Sequence, residues 1–193
     1  MIRRLSESIV RWQFRKNILT CEQSSLYQYA YEVMLNQAIN MFLALLIAIA
    51  LNAQIAVLVF LVSYIPLRSY CGGYHARTNG GCTIVSTILI LLVCIIEKML
   101  YWDSVIIIIP ICLIISGVFI FMFAPVPDKN KPLDGKETII YRRRSRLVCL
   151  VEAVIGAAFW YFGLRAGVVI AISHVILSLM LVYGVFKNKK ACD

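Results

Sequence analysis

The sequence predicts an all-α integral membrane protein, a polytopic bundle of six transmembrane helices with an N-terminal amphipathic helix at the membrane interface. Three observations carry that expectation. The chain of 193 residues is 61% hydrophobic and 15% charged, with a mean hydropathy of +0.83, whereas soluble domains average roughly 45–50% apolar and about 25% charged. Its apolar residues gather into runs close to the roughly 20 residues that cross a hydrocarbon core. Its 19 Lys and Arg outnumber 10 Asp and Glu, for a net charge of +9, and most of them cluster beside or between those runs. Disorder, fibrous repeats and a small disulfide-stapled secreted fold are excluded.

The N-terminal region, residues 1–30, is amphipathic. Ile2, Leu5, Ile9 and Trp12 share one helical face, and Arg3, Arg4, Arg11 and Arg15 lie largely elsewhere. That pattern fits a helix in the interface with its cations toward anionic headgroups; a helix docked on other protein has the same pattern. The stretch lacks the apolar core and the small-residue cleavage site of a secretory signal.

The apolar runs cover 31–51, 54–67, 83–102, 104–124, 147–163 and 166–186. Glu32, Asn36, Gln37 and Asn40 make the first half of the first run polar, and Asn52-Ala53-Gln54 interrupts what would otherwise be one long stretch. Charge bias decides how these runs cross. Five cations precede residue 17, seven lie in 125–146 and three (Lys187, Lys189, Lys190) end the chain, so all three segments are expected to be cytoplasmic. Runs 83–102 and 104–124 make two crossings, which puts 68–82 on the same side as 125–146. Residues 31–67 must then cross an even number of times, as a hairpin turning near Asn52, and 147–186 form another hairpin around Gly163 to Gly167. The chain is one domain over 1–193. Its basic loop at 125–146 contains Pro125, Pro127 and Pro132, which break any helix there.

In a soluble protein the positive charge would raise nucleic acid as a partner, but no basic-aromatic recognition module is present. Cysteine usage is equally plain. The seven cysteines are odd in number and form no CxxC pair, and Cys94, Cys112 and Cys149 lie in or beside apolar runs, where a free thiol behaves as a small hydrophobe.

Chemistry concentrates in 68–82, Arg68-Ser69-Tyr70-Cys71-Gly72-Gly73-Tyr74-His75-Ala76-Arg77-Thr78-Asn79-Gly80-Gly81-Cys82, where two Gly-Gly pairs flank one histidine. On an unbroken helix, residues seven apart stand about 10.5 Å apart along the axis, while proton transfer needs heavy atoms within about 3 Å. A turn at Asn79-Gly80-Gly81 would close that gap. Cys82 directly precedes an apolar run, so it is expected at a helix N-terminus, whose partial positive charge favours a thiolate. A thiolate beside an imidazole is a cysteine-nucleophile site. Chance proximity, or a metal held by Cys71, His75 and Cys82, are the other readings of this spacing; no second ligand cluster accompanies it, and no metal or other cofactor is expected. His174 lies within the last run and reads as a helix–helix hydrogen-bonding residue. Asn79, Ser86, Asp128 and Glu152 are polar candidates to orient His75, with nothing to choose among them.

Arg68, Gly72-Gly73, His75 and Cys82, in that order, resemble the motif of the AgrB (accessory gene regulator protein B) family, membrane peptidases that mature quorum-sensing peptides in Gram-positive bacteria. Ala124-Pro125 followed by Asn130-Lys131-Pro132 is a second, weaker match, and length, basic character and layout agree along the chain. The resemblance implies a thiol protease acting in autoinducing-peptide processing and virulence regulation, with Cys82 as nucleophile and His75 as general base and acid. Arg68, Gly72 and Gly73 would shape the site, and Asn130, Lys131 and Pro132 would be structural or substrate-handling. Cys71 departs from the pattern by placing a second thiol nearby.

The family's substrate is a short pro-peptide with an amphipathic leader and an acidic C-terminal tail. The resemblance implies that the tail is released through an acyl-enzyme thioester, which then closes into a thiolactone or lactone. Arg142, Arg143, Arg144 and Arg146, with Lys131, could hold the acidic tail, since Arg pairs carboxylates bidentately; anchoring topology on anionic lipid accounts for the same cations. Expected partners are therefore the pro-peptide, an anionic bacterial cell membrane and a second copy of the chain, with no nucleic acid. The termini and the catalytic loop are expected to be cytoplasmic. The rival readings are a transporter of a peptide or small solute, with Asn36, Gln37, Asn40, Asn52 and Gln54 marking its path, and a non-enzymatic assembly or sensor protein. Neither explains the glycine-framed His–Cys segment.

Overall fold

A computed structural model describes residues 2–16, 21–73, 78–100, 107–127 and 134–189, and all seven helices within them are α-helical. They are α1 (Ile2–Arg15), α2 (Cys21–Ala50), α3 (Gln54–Cys71), α4 (Asn79–Met99), α5 (Ile108–Phe123), α6 (Gly135–Tyr161) and α7 (Ala166–Lys189). The chain is a polytopic helical membrane protein. Four helices are long and apolar enough to cross a bilayer: Gln23–Ala50, Gln54–Cys71, Gly80–Met99 and Ala166–Lys187. The two further expected spans coincide with α5, which has 16 residues and a length of about 24 Å, and with the apolar second half of α6. Residues 101–106, which the fourth run includes in part, lie outside the described residues.

Helix α1 has both features that its pattern allowed. Ser6 and Val10 are buried against α2, where Ser6 Oγ donates to Glu32 Oε1 at 3.5 Å and Gln13 Nε2 donates to the Tyr31 hydroxyl at 2.6 Å. Leu5 and Trp12 remain exposed, an apolar edge suited to the interface. The expected hairpin appears at Asn52: α2 ends at Ala50, Asn52 takes a left-handed φ of 49°, and the Ala53 N–H returns to the Ala48 carbonyl at 2.8 Å. Asn tolerates that conformation better than most residues.

Helix α7 is the centre of the bundle and packs on α3, α4, α5 and α6. Leu177 and Leu181 are fully buried with Leu67 and Cys71 of α3, Ile120 of α5 and Cys149 of α6. At the other side Ala44 and Ala48 of α2 pack with Val57 and Phe60 of α3 and Val93 of α4; small residues let spans approach where lipid gives no hydrophobic drive. The end of the bundle holding the 51–53 turn is closed by Lys98 Nζ donating to the Leu51 carbonyl and by Arg165 pairing with Glu97 at 3.2 Å.

The segment expected as a basic loop over 125–146 is shorter than that. Asp134 and Glu137 form a reciprocal capping box that starts α6 at Gly135, beyond the last of the three prolines. Its four arginines therefore lie on a helix and take fixed directions around it.

Candidate active site

The site is built where α3 ends. The Gly72 N–H closes α3 on the Arg68 carbonyl at 3.1 Å, and the chain then leaves with φ +70° at Gly72 and +101° at Gly73. A Cβ on Gly72 would stand 2.2 Å from the Val126 carbonyl oxygen, so only glycine fits. That closeness is a main-chain clasp: the Val126 N–H donates to the Cys71 carbonyl at 2.9 Å and the Gly73 N–H donates to the Val126 carbonyl at 3.3 Å, a parallel bridge. Arg68 lies over it, its Nη1 donating to the Gly72 carbonyl. Because a Cβ on Gly73 would stand 2.6 Å from that nitrogen and 3.3 Å from the Met180 carbonyl oxygen, Arg68, Gly72 and Gly73 act as one unit seated on α7.

Cys82 is half-buried in the first turn of α4. The Thr78 hydroxyl accepts from the Gly81 N–H at 3.1 Å, and the Cys82 N–H donates to the Thr78 carbonyl at 3.0 Å, so Thr78 is the N-cap. The helix N-terminus expected at Cys82 is present, but it starts earlier than expected. Asn79-Gly80-Gly81 is the first helical turn and not the turn that reverses the chain. The cap and the propagating helix override the glycines' weak helix propensity, leaving 72–78 to connect α3 to α4. His75 falls within 74–77 and so lies outside the described residues, as do Asp128, Asn130, Lys131 and Pro132.

Two neighbours meet the Cys82 turn from other helices. Thr83 Oγ1 donates to Asn36 Oδ1 on α2 at 3.2 Å. Tyr64 of α3, stacked on Phe60 with its hydroxyl donating to Met180 Sδ at 3.0 Å, is close enough to Cys82 and Arg68 to feel their charge. Ser86 follows one turn along α4. Cys71 is placed differently. It has no exposure and lies in the core cluster with Cys149, within electrostatic reach of Arg68 and Glu152.

Glu152, one of the four candidates to orient His75, lies inside the bundle. Its Oε2 is 3.1 Å from His174 Nε2, a pair between α6 and α7 inside the bundle, with the other ring nitrogen of His174 buried and without a partner among the described residues. The helix–helix hydrogen bond expected of His174 is present, and its partner is Glu152. Among the described residues no three His, Cys, Asp or Glu side chains converge as metal ligands.

The arginines separate by direction. Arg144 lies over the Tyr70 ring at 5.7 Å, and Tyr70 meets Tyr141 edge-on at 5.9 Å, next to the end of α3. Arg146 turns away, donating to the Phe121 carbonyl at 3.2 Å with its guanidinium over the Phe121 ring. Arg142 and Arg143 are exposed. The polar residues expected to mark a solute path do not share a face: Asn36 and Asn40 are buried, Gln37 is exposed, and Asn52 and Gln54 are exposed at the other end. Tyr64, Tyr70 and Thr83 were not singled out as site residues: Tyr64 and Thr83 are unremarkable members of apolar runs, whereas Tyr70 within 68–82 and Thr83 beside Cys82 could have drawn notice by position.

The family model described as Accessory gene regulator B matches residues 2–186. An AgrB-like protein of Clostridium perfringens strain SM101 (type A) is 29% identical over 117 residues, 58% of this chain and 55% of the relative. A second AgrB-like protein, from Clostridium perfringens strain 13 (type A), is 28% identical over the same shares. The matched stretch thus spans about half the length of these curated relatives. No solved structure matches the chain.

Proposed function

The chain belongs to the accessory gene regulator B family, and from that premise we propose that it is a membrane cysteine endopeptidase of an agr quorum-sensing system, which removes the acidic tail of a pro-peptide and promotes closure of the remainder into a ring. The observation that carries this reading is the placement of Cys82, half-buried in the first turn of α4 just after the Thr78 N-cap. Cys71, the other thiol of the segment, is sealed in the core.

In this reading His75 takes the Cys82 proton as the sulfur attacks the carbonyl at the C-terminal end of the peptide's core, and returns it to the departing amine. The peptide bond breaks, the tail leaves with a free amino group, and the acyl group stays on Cys82 as a thioester. The N–H groups of Asn79 and Gly80, which a helix start leaves without intrahelical partners, are the donors available to the oxyanion. A Cys or Ser side chain of the core then attacks the thioester, releases the Cys82 thiol and closes the thiolactone or lactone. Arg144, with Arg142, Arg143 and Lys131, receives the acidic tail; Arg146 is spent on Phe121. In this reading the end of the bundle that holds the site, and both termini, face the cytoplasm, which the excess of Lys and Arg favours.

Membranes carrying the wild-type chain or its Cys82→Ala, His75→Ala or Cys71→Ala variants, at equal expression, are given a tagged precursor and scored for tail release. Release is lost in the first two and kept in the third. Unimpaired release by Cys82→Ala would overturn the assignment.

A further inference from the structure

Helix α4 begins after its Thr78 cap on a turn that contains two glycines. Gly80 has no atom within 4 Å of where its Cβ would stand, so this turn packs on nothing through a side chain at that position. Yet a nucleophile in a first turn needs a fixed direction, and helix ends fray more readily than helix centres. The next residue along α4 reaches another helix: Thr83, the neighbour of Cys82, donates to Asn36 Oδ1 at 3.2 Å.

Asn36 belongs to a polar stripe along α2: Glu32, Asn36 and Asn40 recur every four residues and share one face. Glu32 accepts from Ser6 of α1 and from Gln28. Asn36 and Asn40 are buried, continuing into Ala44 and Ala48, which pack in the core. Between spans in lipid, association lacks a hydrophobic drive, and a hydrogen bond sets rotation and register. A bond to residue 83 therefore sets the rotation of the turn that carries residue 82.

We propose that Asn36 is a positioning residue for Cys82: through Thr83 it fixes the rotation of the first turn of α4 and hence the direction of the thiol. The proposal rests on Cys82 being the nucleophile. Misplacing a reacting group by about 1 Å can cost up to about 100-fold in rate.

The test compares the full chain in membranes with Asn36→Leu, Thr83→Val, Thr83→Ser and the double variant Asn36→Leu/Thr83→Val. The expected result is a kcat lowered about tenfold or more by Asn36→Leu and by Thr83→Val, with KM within about twofold. The double variant loses no more than either single one, because both remove the same bond, and Thr83→Ser, which keeps the hydroxyl, restores the rate. Additive losses, or wild-type kcat in Thr83→Val at equal expression, would overturn the proposal. A second readout needs no substrate: the rate at which N-ethylmaleimide modifies Cys82 in the intact chain, read by mass spectrometry at that residue. It changes about threefold or more in Asn36→Leu and Thr83→Val if the thiol has turned, and an unchanged rate in both overturns the proposal. If the wild-type chain processes no precursor, the peptidase reading falls while the maleimide rates still decide the positioning.

Discussion

Two groups of reactive side chains occupy this bundle in opposite surroundings. Around Cys82 the thiol is half-buried, the helix is only starting, the turn is rich in glycine, and the bond that orients it comes from another span. Around Cys71 everything is closed: the thiol has no exposure, Cys149 belongs to the same apolar cluster, and Glu152 meets His174 in the interior. Both groups hold the residue types of a catalytic site. A thiol can only act where a substrate reaches it, and a buried acid–imidazole pair in lipid serves to hold two spans in register. The difference teaches that residue inventory does not locate a site; access and a helix start do.

The comparison can be broken most forcefully at the closed group. Glu152→Ala leaves His174 buried without its partner, and losing one member of such a pair costs about 3–5 kcal/mol. Thermal unfolding in detergent should show that loss, with the cleavage rate per folded molecule unchanged; a fall in that rate at unaltered stability would mean that the closed group serves the chemistry. Next in size is thiol access. Maleimide should modify Cys82 about 100-fold faster than Cys71 in native membranes, and the two should react alike once the chain is unfolded. Equal rates in the native state would dissolve the distinction.

The glycines sharpen it further. Gly72→Ala drives a Cβ into the Val126 carbonyl at positive φ, and a cost of about 2–3 kcal/mol is expected. Gly80→Ala meets nothing and should be neutral or stabilising by up to about 1 kcal/mol; calorimetry of both variants checks the pair. Smaller still is the split between arginines. Arg144→Ala should raise KM for an acidic-tailed precursor about three- to tenfold at low salt, with Arg146→Ala leaving it unchanged. The smallest effect lies on α2, where Asn40 Oδ1 is buried without a partner among the described residues. Asn40→Leu should stabilise the chain by about 1 kcal/mol, seen as a raised Tm.

Much of this arrangement was legible. Parity of crossings, counted from the cations, put 68–82 and 125–146 on one side, and the structure joins them through Gly72 and Val126. Asn52 marked its hairpin, and the start of an apolar run marked the helix end at Cys82. The start of α4 was misjudged because Gly-Gly speaks for a turn locally, while the Thr78 cap and the hydrogen bonds of the growing helix prevail. Pairs such as Glu152–His174 and Asn36–Thr83 were beyond reach for another reason. Periodicity tells which face of a span is polar, yet in an apolar chain it does not say which neighbour that face meets.

The clasp between Gly72 and Val126 also bears on biogenesis. The segment carrying Cys82 leaves the ribosome long before its own support exists, because Val126 follows α5 and the Met180 and Leu181 that lie under Gly73 belong to the last span. A nascent chain halted after α4 would hold its thiol in an unfinished setting, and insertion of α7 completes it. The setting of Cys82 is thus postponed until α7 has joined the bundle.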